Sequence, residues 1–167
     1  VMIEIAELLK HREDILFQII GRGPRKEILE KMVEDKCLSN CQFLPFQDNE
    51  IFPYSLSAAD LGAVILDDRT SKGSVPSKSY NLMSYGIPSL YIASEDSELS
   101  LYAKTYEHAK CFTSEELENA VSFIEYLADN KYLQNKMKEN ALNASLNYKR
   151  TNAEKIVDLY FDNNMTF

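Results

Sequence analysis

Two segments carry the residue types that bind phosphate groups, and each follows an apolar run typical of a buried strand. The first is the turn Gly21-Arg22-Gly23-Pro24, which directly follows the run 15–20. Glycines let a ligand approach the backbone closely, and the helix that follows offers free N–H groups at its start. Arg22 adds a positive charge. The alternative interpretation is a tight strand-to-helix turn with an exposed arginine.

The second segment is the stretch 72–80, in which we expect Ser77 to be the N-cap of a helix beginning near Lys78. An N-cap hydroxyl, unpaired N–H donors and the positive end of the helix dipole together suit a diphosphate. Lys72 and Lys78 add cations in an otherwise acidic chain. The alternative is a capped helix with solvated lysines. We favour the anion site, because the donors of a buried helix start need a partner.

An aromatic residue follows the second predicted strand, in the loop Leu44-Pro45-Phe46. Phe46 and the exposed backbone of this loop could hold a flat base, and a packed phenylalanine is the alternative.

Asp67 and Asp68 end the third predicted strand, where carboxylates could bind a metal as in a phosphoacceptor receiver domain. Such a domain needs further acidic residues after its first strand, which this chain lacks. We therefore predict no metal site and no cofactor.

The remaining titratable residues point away from redox, metal or nucleic-acid chemistry. His11 and His108 are isolated on predicted helices, and each is interpreted as a surface or packed histidine. The three cysteines, Cys37, Cys41 and Cys111, form no CxxC pair and are interpreted as reduced thiols in a cytosolic protein.

The charge balance excludes some classes of partner. Lys and Arg number 18 against 26 Asp and Glu, giving a net charge of −8. This balance argues against a nucleic-acid or anionic-membrane binder, because both need a basic face. The chain also has no apolar run near the ~20 residues of a membrane span. We expect a cytoplasmic location, with a peripheral position at the inner face of the membrane left open.

The hydrophobic pattern that positions these segments alternates strands with helices. Predicted strands are 15–20, 41–44, 61–66, 88–93 and 110–112. Helices are predicted before the first strand on Met2, Ile5, Ala6 and Leu9, after Pro24 with a buried face of Ile28, Leu29, Met32 and Val33, and over 51–59, 78–85 and 97–108. This alternation indicates an α/β fold, a Rossmann-like doubly wound parallel sheet of about five strands flanked by helices. Because the strands are apolar throughout, we expect both sheet faces to be covered.

The last third of the chain predicts extra helices packed against the sheet edge. Thr113 to Glu116 fits a capping box. Three apolar faces at helical spacing follow: Leu117, Ala120, Val121, Ile124 and Ala128; then Leu133, Met137, Ala141 and Ala144; then Ala153, Ile156, Val157 and Tyr160.

Four segments, in this order, resemble the C-terminal domain of GT-B glycosyltransferases, in the large retaining group that includes glycosyltransferase family 4. They are FQIIGRGP at 17–24, NCQFLPF at 40–46, SAADLG at 57–62 and GSVPSKSYNLMSYGIP at 73–88. The last resembles a sub-branch with a PSK-x-Y…G-x-P signature, found in enzymes that build bacterial surface polysaccharides. The resemblance extends from Ile15 to Tyr160.

The resemblance implies a role for each matched stretch in binding a UDP- or GDP-linked sugar. The diphosphate would lie at two helix starts, beside Gly21, Arg22, Gly23, Ser77 and Lys78. The base would lie beside Leu44, Pro45 and Phe46. The sugar would face Gly73, Ser74 and Val75, and the ribose would face Tyr80 and Asn81.

The sequence departs from the family where many members carry two glutamates with seven residues between them. Gly73 and Asn81 stand at those positions. Asn81 could still bond a ribose hydroxyl, whereas Gly73 offers no side chain to the sugar. A non-catalytic GT-B-like binding or scaffold domain is therefore the alternative. A related nucleotide-sugar epimerase is a weaker one, because it needs cleft carboxylates that cannot be placed.

In this family the acceptor, a glycan or a lipid-linked molecule, binds a separate N-terminal domain. The chain, residues 1–167, matches a single domain and opens at Val1 inside a helical pattern. We therefore expect a donor-binding fragment that lacks the N-terminal domain and a first strand, and we assign no catalytic residue. An unfilled strand position would leave an exposed sheet edge, so a homodimer of the fragment is also expected.

Overall fold

The computed structural model of the chain describes residues 1–67, 73, 75–149 and 151–164, in which strands alternate with helices. The strands are β1 (Phe17–Ile20), β2 (Cys41–Leu44), β3 (Gly62–Ile65), β4 (Ser89–Ile92) and β5 (Ala109–Phe112). The helices are α1 (Met2–Leu8), α2 (Lys26–Asp35), α3 (Phe52–Ser57), α4 (Ser77–Ser84), α5 (Glu98–Tyr106), α6 (Leu117–Asp129), α7 (Lys131–Ser145) and α8 (Thr151–Asn164). The predicted α/β class is confirmed, and every predicted strand is present: β1, β3 and β4 are slightly shorter than predicted, β2 has the predicted bounds, and β5 begins one residue earlier.

All strand pairs are parallel, but the described strands form two sheets instead of the single sheet expected. β1 pairs with β2 in one sheet, and β3, β4 and β5 form the other in that order. This order agrees with the doubly wound order 3-2-1-4-5-6, in which one strand position separates the two groups. No described residue fills that position between β1 and β3, so each of these strands pairs on one edge only.

Helix α1 packs against both sheets and joins them. Ile3 packs in an apolar cluster with Phe17 of β1. Ile5 and Leu9, both fully buried, pack in a second cluster with Leu90 of β4 and with the buried face of α6. The two strand groups therefore share one core through this helix.

Strand burial differs between the two sheets, and the expectation that every strand is covered on both faces is wrong for β1 and β2. All four residues of β4 are buried. In contrast, Gln18, Ile20 and Gln42 are exposed, and the Gln18 amide donates a 3.1 Å hydrogen bond to Gln42 across the open face. Among the described residues, helical cover lies on the Phe17 face of this sheet.

The predicted buried faces of two helices, α2 and α6, need correction. Ile28 is 61% exposed because the contact face of α2 is narrower than predicted and is made by its neighbours Leu29, Met32 and Val33. In α6, Ala128 is exposed, and the buried face includes Phe123 and Leu127 instead.

The C-terminal helices also depart from the predicted packing on the sheet edge. Helix α6 does contact β5, but α7 packs mainly on α4 and α6, and also on α5, because its buried face points at these helices. In α8, Ala153 and Val157 are exposed, and the side chains of Ile156 and Tyr160 lie outside the described residues. The Glu116 carboxylate accepts a hydrogen bond from the Thr113 N–H, as a capping box predicts, but α6 begins only at Leu117.

The described helices include none that is both long and apolar enough to cross a membrane.

The three cysteines are free thiols, and burial raises the pKa of Cys41 and Cys111 above the ordinary value.

His108 lies in the turn between α5 and β5 and is fully buried, so the prediction of a packed histidine is confirmed although it is not on a helix. Its Nε2 lies 2.8 Å from the Tyr91 hydroxyl in a hydrogen bond. Its Nδ1 is buried without a partner among the described residues. Burial disfavours the charged ring and lowers the pKa of His108 to about 4.

This burial predicts that the protein loses stability in mild acid. In the unfolded chain this ring has its ordinary pKa of 6.5 and is protonated below that pH, whereas in the folded chain its pKa is about 4. The free energy of unfolding should therefore fall by about 2 kcal/mol between pH 7.5 and pH 5. Urea unfolding across that range measures the slope, and a His108→Gln variant, which cannot titrate, should flatten it. An equal slope in the variant would contradict this account.

Candidate functional site

The ends of β1 and β2 bring two of the predicted segments into contact. The Gly21 N–H donates a 3.3 Å hydrogen bond to the Leu44 carbonyl, which joins the two loops at the carboxyl edge of the sheet. Next to this bond, the Arg22 guanidinium lies over the Phe46 ring, 4.8 Å from its centroid. The predicted diphosphate turn and the predicted base loop therefore form one surface.

This surface is concave. A cavity of about 740 Å³ lies at the carboxyl edge, within the size range of small-molecule sites. Its lining residues come from the two loops and the first turn of α2: Gly21, Arg22, Gly23, Pro24, Lys26, Glu27, Pro45 and Phe46. Arg22 and Lys26 place two cations at its wall against the single carboxylate of Glu27.

Lys26 and Glu27 are lining residues that the sequence analysis missed. Both lie in the first turn of α2, directly after the glycine turn. Their position one turn beyond Gly23 is the signal that could have found them, because first-turn side chains of a helix lie beside a ligand bound at its start. The Lys26 ammonium is 3.5 Å from Glu30 and remains partly exposed.

The two glycines of the turn leave open space beside the backbone. A Cβ atom added at Gly21 or Gly23 would meet no atom within 4 Å. Gly21 also has a φ of +150°, which L side chains rarely adopt. The backbone conformation of Gly23 does not require glycine. The absence of a side chain there leaves open space next to the peptide backbone.

Helix α4 carries the second predicted phosphate segment, and its start is one residue earlier than predicted. Pro76 is the N-cap, with extended φ and ψ of −62° and 137°, and Ser77 is already the first helical residue. The prediction that Ser77 is the N-cap is therefore wrong, since the rigid extended proline takes that position. Among the residues that the structure describes, no side chain caps this helix start. Ser77 and Lys78 are both exposed there.

The seat of α4 on β3 depends on a glycine. Gly62 is buried, and a Cβ atom at this position would lie 2.4 Å from Leu82 of α4. Leu82 is itself only 3% exposed and has little room to move. The missing side chain of Gly62 thus sets how closely α4 approaches the sheet.

The remaining predicted site residues lie on or before α4. Gly73 is exposed with a φ of +71°, which favours glycine, and Val75 is half-buried against the core around Val64. Asn81 is exposed on α4, whereas the Tyr80 hydroxyl is bonded to Tyr102. Ser74, Lys72 and Asp68 lie outside the described residues.

The structure thus places the predicted residues in two groups. One group lines the cavity at β1 and β2, and Leu44 contributes its carbonyl beside it. The other group follows β3 and lies at the start of α4, and none of its described members lines that cavity. Both groups follow the carboxyl ends of parallel strands, where ligands bind in open α/β sheets. Among the described residues, no group of three His, Cys, Asp or Glu side chains could hold a metal ion.

Comparisons with known proteins agree with this architecture. No protein-family model matches the chain. Over 124 residues the chain is 32% identical to the protein named colanic acid biosynthesis glycosyl transferase WcaI, from Escherichia coli (strain K12). This match covers 74% of the chain and 30% of the relative, so the chain spans about a third of that protein's length.

Solved structures show the same fold. The chain superposes on a crystal structure of TarM with a TM-score of 0.76 and 20% identity, over 96% of this chain and 31% of TarM. It matches a mutant of S. aureus TarM, in complex with fondaparinux, alpha-GlcNAc-glycerol and UDP, with the same TM-score, 21% identity and the same coverage. These likenesses show a GT-B Rossmann-like fold. Together with the sequence match, they support a GT-B glycosyltransferase domain.

Two glycine-to-alanine substitutions should differ in their effect on stability, because one site is tightly packed and the other is open. Gly62→Ala should lower the free energy of unfolding by about 1–3 kcal/mol, because its new methyl group overlaps the buried Leu82. Gly23→Ala should change it by less than about 0.5 kcal/mol, because nothing lies near its Cβ position. Urea denaturation of both variants tests this. Equal stability of the two variants would mean that α4 is not held against β3 as described.

Proposed function

We propose that the chain is the donor-binding domain of a glycosyltransferase and that it binds the nucleoside diphosphate of a UDP- or GDP-linked sugar. The observation that carries this proposal is the cavity in which the open turn at Gly21 and Gly23 meets Arg22 stacked over Phe46. One wall supplies backbone N–H groups and cations, and the other supplies an aromatic face. This combination suits a ligand that joins a diphosphate to a flat base.

The role of each residue follows from its place in the site. Arg22 and the start of α2 would hold the diphosphate from one side, with Ser77 and Lys78 at the start of α4 on the other. Pro45 and Phe46 would contact the base.

The sugar and ribose contacts belong to the segment around α4. Gly73, Ser74 and Val75 would face the sugar, and the exposed Asn81 would bond the ribose. Tyr80 would contribute to the ribose contact through its ring edge, because its hydroxyl is already bonded to Tyr102.

In the whole protein, we infer that the sugar passes to a glycan or lipid-linked acceptor during synthesis of a bacterial surface polysaccharide. The name of the WcaI relative supports this class of product, and the coverage of about a third of each matched protein supports a partner domain for the acceptor. On this proposal the chain is the C-terminal domain of a cytoplasmic enzyme of the PSK-x-Y branch. No metal or cofactor enters the proposed binding.

A second candidate function is a binding or scaffold domain that has kept the fold without catalysis. Gly73 and Asn81 support it, because neither offers a carboxylate where many family members have glutamate. A scaffold of this kind should not bind a nucleoside diphosphate, which separates the two proposals.

Calorimetric titration with UDP and GDP tests the donor site. We expect one of the two to bind, and we expect Arg22→Ala and Lys78→Ala each to weaken binding by about tenfold, the loss of ~1.4 kcal/mol from a charge-assisted contact. Gly23→Ala should also weaken binding while leaving stability unchanged. Lys104→Ala, an exposed lysine on α5, is the matched control and should bind normally.

Binding that none of the site variants weakens would place the ligand elsewhere and overturn the assigned site. No binding of either nucleotide, by this chain or by the longer protein, would favour the scaffold function.

The single-edge pairing of β1 and β3 leads us to propose that the isolated chain self-associates through these edges. Light scattering should then show a dimer that dissociates on dilution. A lysine at the 41% exposed Ile65 of β3, Ile65→Lys, should shift the mass towards the monomer, because charges on an edge strand oppose pairing. Leu101→Lys, at an exposed site on α5, is the control. A wild-type chain that is monomeric at all concentrations would refute the proposal.

A further inference from the structure

Four tyrosines from three parts of the chain form a cluster beside α4. They are Tyr80 of α4, Tyr102 and Tyr106 of α5, and Tyr148, which follows the end of α7. The Tyr80 and Tyr148 rings are 4.9 Å apart between centroids, and the Tyr102 and Tyr148 rings are 5.5 Å apart. These distances lie in the range where aromatic rings attract one another.

Two hydroxyl pairs join the same rings. The Tyr80 and Tyr102 hydroxyls are 3.3 Å apart, and the Tyr106 and Tyr148 hydroxyls are 3.0 Å apart. Burial and the neighbouring hydroxyls raise the pKa of Tyr80 to about 12 and raise that of Tyr148 further. Tyr80 and Tyr148 are therefore neutral at physiological pH, so these two side chains act through packing and hydrogen bonds.

This cluster is one of three contacts that fix α4. The underside of α4 rests on β3 at Gly62, as described above. Its C-terminal end meets α7, where a Cβ atom at Gly86 would lie 2.9 Å from Leu142. Its first turn includes Ser77 and Tyr80, and the Tyr80 ring packs against the other tyrosines of the cluster.

Tyr148 is the member of the cluster that comes from outside the strand–helix units. Its ring lies nearer to Tyr80 than the Tyr102 ring does, at 4.9 Å against 6.3 Å. Because Tyr80 is in the first turn of α4, the contact between Tyr80 and Tyr148 connects that turn to the segment that follows α7.

We propose that Tyr148 is a positioning residue for the nucleotide site: its ring holds Tyr80, and through Tyr80 it fixes the first turn of α4 where the diphosphate binds. This inference rests on the proposed function. Its consequence is that nucleotide affinity depends on how the end of α7 is seated, although Tyr148 contacts no ligand. The ring carries the effect on Tyr80, since the Tyr148 hydroxyl interacts with Tyr106 and Tyr102 and not with Tyr80 itself.

The experiment compares Tyr148→Leu with Tyr148→Phe and Tyr106→Leu. Tyr106 has ring contacts with Tyr102, His108 and Tyr148, but among the described residues its ring does not contact Tyr80. Tyr106→Leu therefore removes a ring from the same cluster and leaves the ring contacts of α4 in place. Nucleotide titration is run well below each unfolding midpoint, so that affinity reports the site and not the folded fraction. Hydrogen exchange of the α4 amides is measured in parallel without ligand.

We expect Tyr148→Leu to weaken binding of the preferred nucleotide by about tenfold and to speed exchange in α4. Tyr148→Phe should bind within about twofold of wild type, and Tyr106→Leu should do the same even where both are destabilised. Equal loss of affinity in Tyr148→Leu and Tyr106→Leu, or unchanged affinity and exchange in Tyr148→Leu, would overturn the inference.

The exchange measurement separates this inference from the proposed function. A wild-type chain that binds neither nucleotide contradicts the proposed function, whereas unchanged α4 exchange in Tyr148→Leu contradicts the positioning role by itself.

Discussion

The burial of α1 between the two sheets is the interaction on which the rest of the structure depends. The β1–β2 pair has too few strands to form a stable layer alone, since a two-stranded unit is at best marginal in water. Ile3 ties α1 to this pair, and Ile5 and Leu9 tie it to β4 and α6. Those two contacts make one core out of five strands that are not all hydrogen-bonded together.

This constraint also explains how the candidate site is divided. The Arg22 and Phe46 wall belongs to the small sheet, whereas α4 is seated on β3 of the larger sheet. A ligand that touches both must span the gap between them. Its affinity would then depend on the relative position of two units that share α1, and any displacement of that helix would change the distance between the two helix starts that we propose to bind phosphate.

Local sequence patterns correctly predicted the features that depend on neighbouring residues. The glycine turn at Gly21 and Gly23 follows from the end of an apolar run and an adjacent Pro24, and the parallel strands follow from their alternation with helices. The exposure of Ile28 could not be predicted, because periodicity gives the direction of a helix face but not its width. The N-cap was misassigned by one residue, because Ser77 has the typical side chain whereas Pro76 has the required backbone conformation.

Contacts between residues far apart in the chain could not be predicted from the sequence. Tyr80, Tyr102 and Tyr148 meet across 22 and 46 residues of chain, and no local spacing brings them together. The splitting of the sheet is of the same kind, since it depends on which strand edges meet in space and not on the strands' own composition.

The acidity of the chain shows why the candidate site must act at short range. A net charge of −8 repels a diphosphate at a distance, but that repulsion is screened over ~8–10 Å at physiological ionic strength. Within that length, backbone N–H groups at two helix starts and a few cations determine the interaction. Backbone donors cannot be repositioned by rotating a side chain, so their usefulness depends on where the helices themselves lie. On the proposed function, anion binding therefore depends on Gly62 under α4 and on Tyr148 beside it, as well as on the residues that face the ligand.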